Sequence, residues 1–360
     1  MTGELLFTPG PVMMHERVLR AMAGQVISHR SEEFRRLLDE VRELLARVYG
    51  GGEPLVLTGS GTLAVESMAW SLVEPGERVL VVSHGEFGER LVDTLRRRGA
   101  LVETVEAERP GVHVPAEKVI EKLDEAGYAA VAMVYTETSL GLSYRDAERV
   151  AKAAKDRGAL VLVDAVSALA GERVPALGIV DAVASAAQKA VAGPPGVSFI
   201  AVSGNALEKM RRLRVRPPNY LDLWKVYSFH SERRETPYTP AVNLLYGLRE
   251  ALTLIVERGV DAWIEAHRER AEILYSKLPG YGLEPVVEPG YRANTVAAFY
   301  TPVPSGTLAS ELARRGIRVA RGMGQLRDRV VRIATMGWLP HGAFEKLFEA
   351  LSEALAQPSS

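Results

Sequence analysis

Ala159-Leu160-Val161-Leu162-Val163-Asp164 is an unbroken apolar run closed by an acid. It shows no alternation between a wet and a dry face. Such a run reads as a strand buried on both sides, as in a parallel sheet covered by helices. Upstream, similar runs predict strands over 55–58, 78–83, 101–105 and 129–135. Downstream, two more follow over 181–185 and 197–202. Helical periodicity occupies 31–48, 62–74, 86–98, 115–126 and 145–157. Ser31 before Glu32 and Glu33 is a helix start, with an acceptor cap and acids near the positive end of the dipole. Glu74-Pro75-Gly76 and Arg98-Gly99 are stops. The alternation predicts an α/β fold with a large, mostly parallel seven-stranded sheet flanked by helices.

Beyond residue 203 the character changes. Residues 207–240 are rich in Arg, Pro and Tyr and read as irregular. One long helix is predicted over 241–279. The C-terminal third reads as α+β, with strands over 295–300 and 330–333 and helices over 307–315 and 342–355. The organisation expected is an N-terminal arm over 1–15, a large domain over 16–245 and a smaller C-terminal domain over 246–360. Gln357-Pro358-Ser359-Ser360 is expected to fray.

The 360 residues carry a net charge of −1, with 47% hydrophobic and 25% charged residues, so neither nucleic acid nor an anionic membrane is favoured as partner. Arg211, Arg212, Arg214 and Arg216 are expected to be surface or dimer-contact residues. No apolar stretch of membrane-spanning length occurs. The N-terminus lacks the charged and apolar regions of a signal peptide, so a cytoplasmic location is expected. With no cysteine, disulfides and cysteine nucleophiles are excluded. The seven His show no ligand-like spacing, and no metal is expected.

Lys189 follows Asp164 in Ser185-Ala186-Ala187-Gln188-Lys189-Ala190, ahead of a Gly-Pro-Pro-Gly turn at 193–196. An acid at the end of a buried strand and a lysine on a small-residue loop suit pyridoxal 5′-phosphate (PLP). The lysine joins the cofactor aldehyde as a Schiff base. The acid keeps the pyridine nitrogen protonated, so that the ring withdraws electrons. Other strand ends agree. Thr58-Gly59-Ser60-Gly61-Thr62 is a phosphate cradle or a simple tight turn. In Ser83-His84-Gly85-Glu86-Phe87-Gly88, Phe87 either stacks on a planar ring or anchors the core. Tyr135-Thr136-Glu137-Thr138-Ser139-Leu140-Gly141 offers hydroxyls. All fall at carboxyl ends of predicted strands, where open α/β sheets bind ligands.

In this order, Phe7-Thr8-Pro9-Gly10-Pro11, Ser60-Gly61, Glu86-Phe87-Gly88, Val163-Asp164-Ala165-Val166-Ser167, Gln188-Lys189, Pro194-Pro195-Gly196, Tyr220-Leu221-Asp222, Leu245-Tyr246-Gly247-Leu248-Arg249-Glu250 and Val331-Arg332-Ile333 are highly specific. The chain resembles the class V aminotransferases of PLP fold type I, in the alanine–glyoxylate / serine–pyruvate aminotransferase branch. The resemblance implies a homodimer that moves an amino group from alanine or serine to glyoxylate or pyruvate by ping-pong kinetics. It implies Lys189 as the Schiff-base lysine and Asp164 as the pyridinium partner. Phe87 would stack on the ring, with Val166 on its other face. Ser60, Gly61 and Gln188 would hold the phosphate, with Thr62 beside them, and Thr138 would sit near the ring oxygen. Thr236 and Thr239 would reach the phosphate from the second subunit. Arg332 would bind the substrate α-carboxylate, and the Gly10 backbone would approach the same substrate. Some relatives carry Trp in place of Phe87 and His in place of Thr62.

Alternatives on the same scaffold are an aspartate or phosphoserine aminotransferase or another PLP reaction. An acidic substrate would need a second cation, for which Arg30 is a candidate. A nicotinamide-dependent dehydrogenase would need a full glycine fingerprint, which is missing because position 64 is Ala. A non-catalytic binding protein on a degenerate fold sits poorly with Asp164, Lys189 and Arg332 together.

Overall fold

The computed structural model describes residues 3–356. The fraying expected at Gln357-Pro358-Ser359-Ser360 lies outside the described residues. Seven strands form the main sheet. Across it they run Glu53–Thr58, Val197–Val202, Ala182–Ala186, Leu160–Asp164, Ala130–Val134, Arg78–Ser83 and Leu101–Glu106. Val197–Val202 is antiparallel to both neighbours, and the other pairings are parallel. The mostly parallel seven-stranded sheet read from the sequence is therefore present. Its central strands pack both ways. Leu80, Val82, Val131, Met133, Val161 and Val163 enter one apolar layer. Val79, Val81, Ala130, Ala132 and Leu162 enter the other. Burial on both faces is why these runs show no polar alternation.

The helices start and stop for local reasons. Ser31 accepts from the Phe34 amide at the start of Glu32–Tyr49, and Gly50 ends that helix in the left-handed region. Two expectations fail. The single helix over 241–279 is two, Val242–Arg258 and Val260–Lys277, broken at Gly259 with φ +91°. Glycine takes that backbone turn without a Cβ clash. The stretch 207–240 is not irregular. It includes most of helix Gly204–Arg211, the 3₁₀ turn Asn219–Leu221 and helix Leu223–Arg233, which is capped by the Asp222 side chain on the Lys225 amide.

A smaller antiparallel sheet runs Glu284–Pro285, Val296–Tyr300, Val330–Ala334, Ala320–Arg321. With helices Ser305–Arg314 and Ala343–Ala356 it encloses Leu312, Phe299, Val331, Ile333 and Leu347. The helix holding residue 245 contributes Leu245, Leu248, Leu252 and Ile255 to the larger core, and Leu274 belongs to the smaller one. The N-terminal strand Leu5–Leu6 pairs with Ile317–Arg318, and Phe7 meets Phe344 edge-on at 5.5 Å. The start of the chain is thus tied to the smaller core before Pro9 and Gly10 cross to the main sheet. Among the described residues no helix is long and apolar enough to cross a membrane.

Candidate active site

Ser60, Gly61, Thr62, Phe87, Thr138, Asp164, Val166, Gln188 and Lys189 line a single cleft of about 730 Å³. The parallel strands bring them there, because their carboxyl ends lie along one edge of the sheet.

Gly61 opens helix Gly61–Leu72. Its N-cap, Ser60, makes no side-chain capping bond, and the first turn holds no acid. The first amides of that helix have no intrahelical partner, so this end suits an anion. A Cβ on Gly61 would fall 2.8 Å from Val166 Cγ1, so only glycine lets the backbone come so close. Phe87 is half-buried in the first turn of helix Glu86–Arg98. The Arg90 guanidinium lies over its ring, 4.8 Å from the centroid. Arg90 also lines the cleft and has no ion-pair or hydrogen-bond partner among the described residues.

Asp164 ends its strand buried, and its Oδ1 accepts from the Val166 amide at 2.9 Å. Burial raises its carboxyl to about 6, against the pull of the Val166 amide. Lys189 sits in the loop joining two antiparallel strands. Its Nζ donates to the Pro9 carbonyl. Burial, helped by the Arg332 charge, lowers its amine to about 8. Gly10 lies against the same side chain: a Cβ there would be 2.9 Å from Nζ. Thr138 Oγ1 donates to Ser167 Oγ at 2.6 Å. Arg332 rises from the smaller sheet. It donates from Nε to the Arg321 carbonyl at 2.9 Å and from Nη1 to the Thr138 carbonyl at 3.2 Å. It has no carboxylate partner among the described residues, and burial lowers it to about 10.

Arg332 lies outside the lining of that cleft and borders an open hollow with Val319 and Met323; two further expected participants stand apart. Thr236 and Thr239 line a second, mostly apolar hollow with Thr58, Leu63, Tyr220 and Tyr238. Thr236 Oγ1 donates to the Tyr238 carbonyl at 2.7 Å. Arg30 is held by Glu235 at 2.7 Å and by the Thr236 carbonyl at 2.8 Å, so it is not a free second cation. Arg211 and Arg212 pair with Glu208, and Arg214 with Glu74. Sequence reasoning passes over Glu137 and Arg90. Glu137 carries a signal only as an acid inside a hydroxyl-rich strand end. Arg90 carries one as the residue one turn beyond Phe87.

The residues fit PLP. Gln188 Oε1 is buried beside Lys189 without a hydrogen-bond partner among the described residues. The cradle at Ser60 and Gly61 is open to an anion. Asp164, held near 6, would ionise fully opposite a ring cation.

The chain matches the family described as "Aminotransferase class-V" over residues 8–327. It is 31% identical to the alanine–glyoxylate aminotransferase of Oryctolagus cuniculus, over 98% of this chain and 92% of that one. A crystal structure of alanine–glyoxylate aminotransferase from Nostoc sp. superposes with TM-score 0.93 at 34% identity, covering 98% of this chain and 95% of that one. The aspartate aminotransferase of subgroup IV from Thermus thermophilus superposes with TM-score 0.89 at 35% identity, covering 98% and 100%.

Proposed function

The chain belongs to the class-V aminotransferases, and on that premise we propose that it moves the amino group of alanine or serine to glyoxylate or pyruvate, as a cytoplasmic homodimer. It is a PLP-dependent aminotransferase with amino acid and 2-oxo acid substrates. The observation that carries the site assignment is the meeting of Asp164 and Lys189 in one cleft, beside a helix start free for a phosphate.

PLP, when bound, draws electrons away from the amino acid Cα, which makes that carbon's proton removable. Lys189 Nζ takes the proton from Cα and returns it two bonds away, on the far side of the nitrogen being transferred. A lysine lowered to about 8 is neutral in about one molecule in ten at pH 7, where an ordinary lysine near about 10.4 is almost wholly charged, and a base needs the neutral form. Asp164 Oδ2, the oxygen the Val166 amide leaves free, holds the ring nitrogen's proton. Phe87 and Val166 would cover the ring faces. Ser60, Gly61, Thr62 and Gln188 would hold the phosphate. Arg332 takes the substrate α-carboxylate as a bidentate fork, and the Gly10 backbone borders that substrate. Thr236 and Thr239 serve the second subunit's phosphate. Their absence from the lining of this chain's own cleft supports that reading. Fractionation of source cells and measurement of mass in solution test the location and the dimer.

A second reading, an acidic donor such as aspartate, is favoured by one observation. Arg90 lines the cleft with its charge uncompensated. The Thermus thermophilus relative supports it too. A panel of amino donors separates the two. Alanine or serine turning over fastest supports the first, and aspartate far ahead of both overturns it. Borohydride reduction of the holoenzyme followed by peptide mapping tests the site itself. The label should fall on Lys189, and a label elsewhere refutes the assignment.

A further inference from the structure

Glu137 is fully buried and has no cation within salt-bridge reach among the described residues. Its carboxylate is held by N–H and O–H dipoles instead. It accepts from the Phe87 amide at 3.2 Å and 3.3 Å, from the Gly88 amide at 3.1 Å, from the Ser139 amide at 3.1 Å and from the Ser139 hydroxyl. The first two donors are amides at the start of helix Glu86–Arg98. A helix start is ordinarily capped by the side chain at its own N-cap. Here the N-cap is Gly85, which makes no side-chain bond, and the cap comes from another strand. Space is reserved for it: a Cβ on Gly85 would fall 2.9 Å from Ser139 Oγ and 3.2 Å from Glu137 Cδ.

The same acid is fixed at its own backbone. Its carbonyl accepts from the Leu140 and Gly141 amides in the tight turn that follows. The next residue, Thr138, gives its carbonyl to Arg332 Nη1 at 3.2 Å. One carboxylate therefore joins the helix carrying the ring-stacking Phe87 to the turn carrying Thr138, and through that link it reaches Arg332.

We propose that Glu137 is a positioning residue that sets Phe87 against the cofactor ring and steadies Arg332 for the substrate carboxylate. The proposal rests on the PLP reading above. Removing the charge while keeping the shape would leave the Phe87 and Gly88 amides facing a weaker acceptor or an NH₂ group. The helix start, and the ring on it, would then swing.

The test strips PLP from wild type, Glu137→Gln, Glu137→Asp and Ser139→Ala and titrates it back, reading affinity by equilibrium dialysis and geometry by visible circular dichroism. In Glu137→Gln the PLP dissociation constant should rise about tenfold, the cost of losing charge-assisted hydrogen bonds. The dichroic band should shrink, and KM for the amino donor should rise. Glu137→Asp should recover part of all three. Affinity, dichroism and KM at wild-type values in Glu137→Gln overturn the proposal, as does Glu137→Asp behaving no better than Glu137→Gln. If Glu137→Gln does not fold, Ser139→Ala decides, with the same changes at about threefold expected and no change overturning it. Wild type trapped by borohydride at Lys189 alongside an unaltered Glu137→Gln sinks this proposal alone. Wild type that takes no PLP at Lys189 sinks the function beneath it.

Discussion

Gly10 and Lys189 meet across a gap with room for a hydrogen and little more. A Cβ on Gly10 would stand 2.8 Å from Lys189 Cδ and 2.9 Å from Nζ. The glycine also has φ +109°, a region that L side chains rarely adopt. Gly10→Ala should therefore strain the arm by about 1–3 kcal/mol and push the lysine aside. The expected result is a fall in kcat of about tenfold or more, with the thermal midpoint lowered by only a few degrees. Wild-type turnover in Gly10→Ala would show that the arm yields freely.

The amine of Lys189 is lowered to about 8, first by burial and then by Arg332. It attacks the cofactor aldehyde only when neutral. The rate at which cofactor-free protein takes up PLP should thus rise with pH and level off above about 8. Arg332→Met removes the cationic neighbour and should shift that inflection upward. Stopped-flow absorbance measures both. An inflection above 10 would mean that the lysine is solvated before the cofactor arrives.

What is legible in the chain follows from how local each cause is. Strands 78–83 and 197–202 can be read to the residue, because turn residues bound them and both faces are buried. Asp164, Lys189, Ser60 and Phe87 group together from the sequence alone, since each ends a strand or follows one. The break at Gly259 escapes such reading because apolar periodicity continues through Val256 and Val260 on either side. Helix Leu223–Arg233 escapes it because its buried residues, Leu223, Val226 and His230, are few among Arg, Ser and aromatic neighbours. Glu137 leaves almost no trace, since its task is set by amides fifty positions away. Arg30 looks free in sequence and is spent on Glu235, a partner no spacing rule announces.

Arg332 is buried and donates to two carbonyls, leaving its remaining N–H groups for a carboxylate. Arg332→Lys keeps the charge but loses the planar fork. KM for the amino donor should rise about tenfold to a hundredfold, the worth of hydrogen bonds to a charged group. PLP affinity should hold within about twofold. Steady-state kinetics beside cofactor titration check this. Equal losses in both would place Arg332 at the cofactor rather than the substrate.

His230 is fully buried, and neither ring nitrogen has a partner among the described residues. Burial lowers it to about 3, with the Arg42 charge adding to the effect. In the unfolded chain the same group titrates near 6.5. Between those values the unfolded state binds a proton that the folded state refuses. The stability linked to this group is full above 6.5 and is lost as the pH falls toward 3. His230→Phe removes the titration and puts a somewhat larger ring in the same place. At pH 8 the two proteins should differ by no more than about 3 kcal/mol, the range of overpacking. At pH 5 the variant should have gained about 2 kcal/mol relative to wild type, from about 1.4 kcal/mol for each pH unit below 6.5. Urea unfolding at both pH values reads the difference. A gap that does not widen on acidification would mean that His230 is protonated in the folded protein, through a partner supplied by water or by a second subunit.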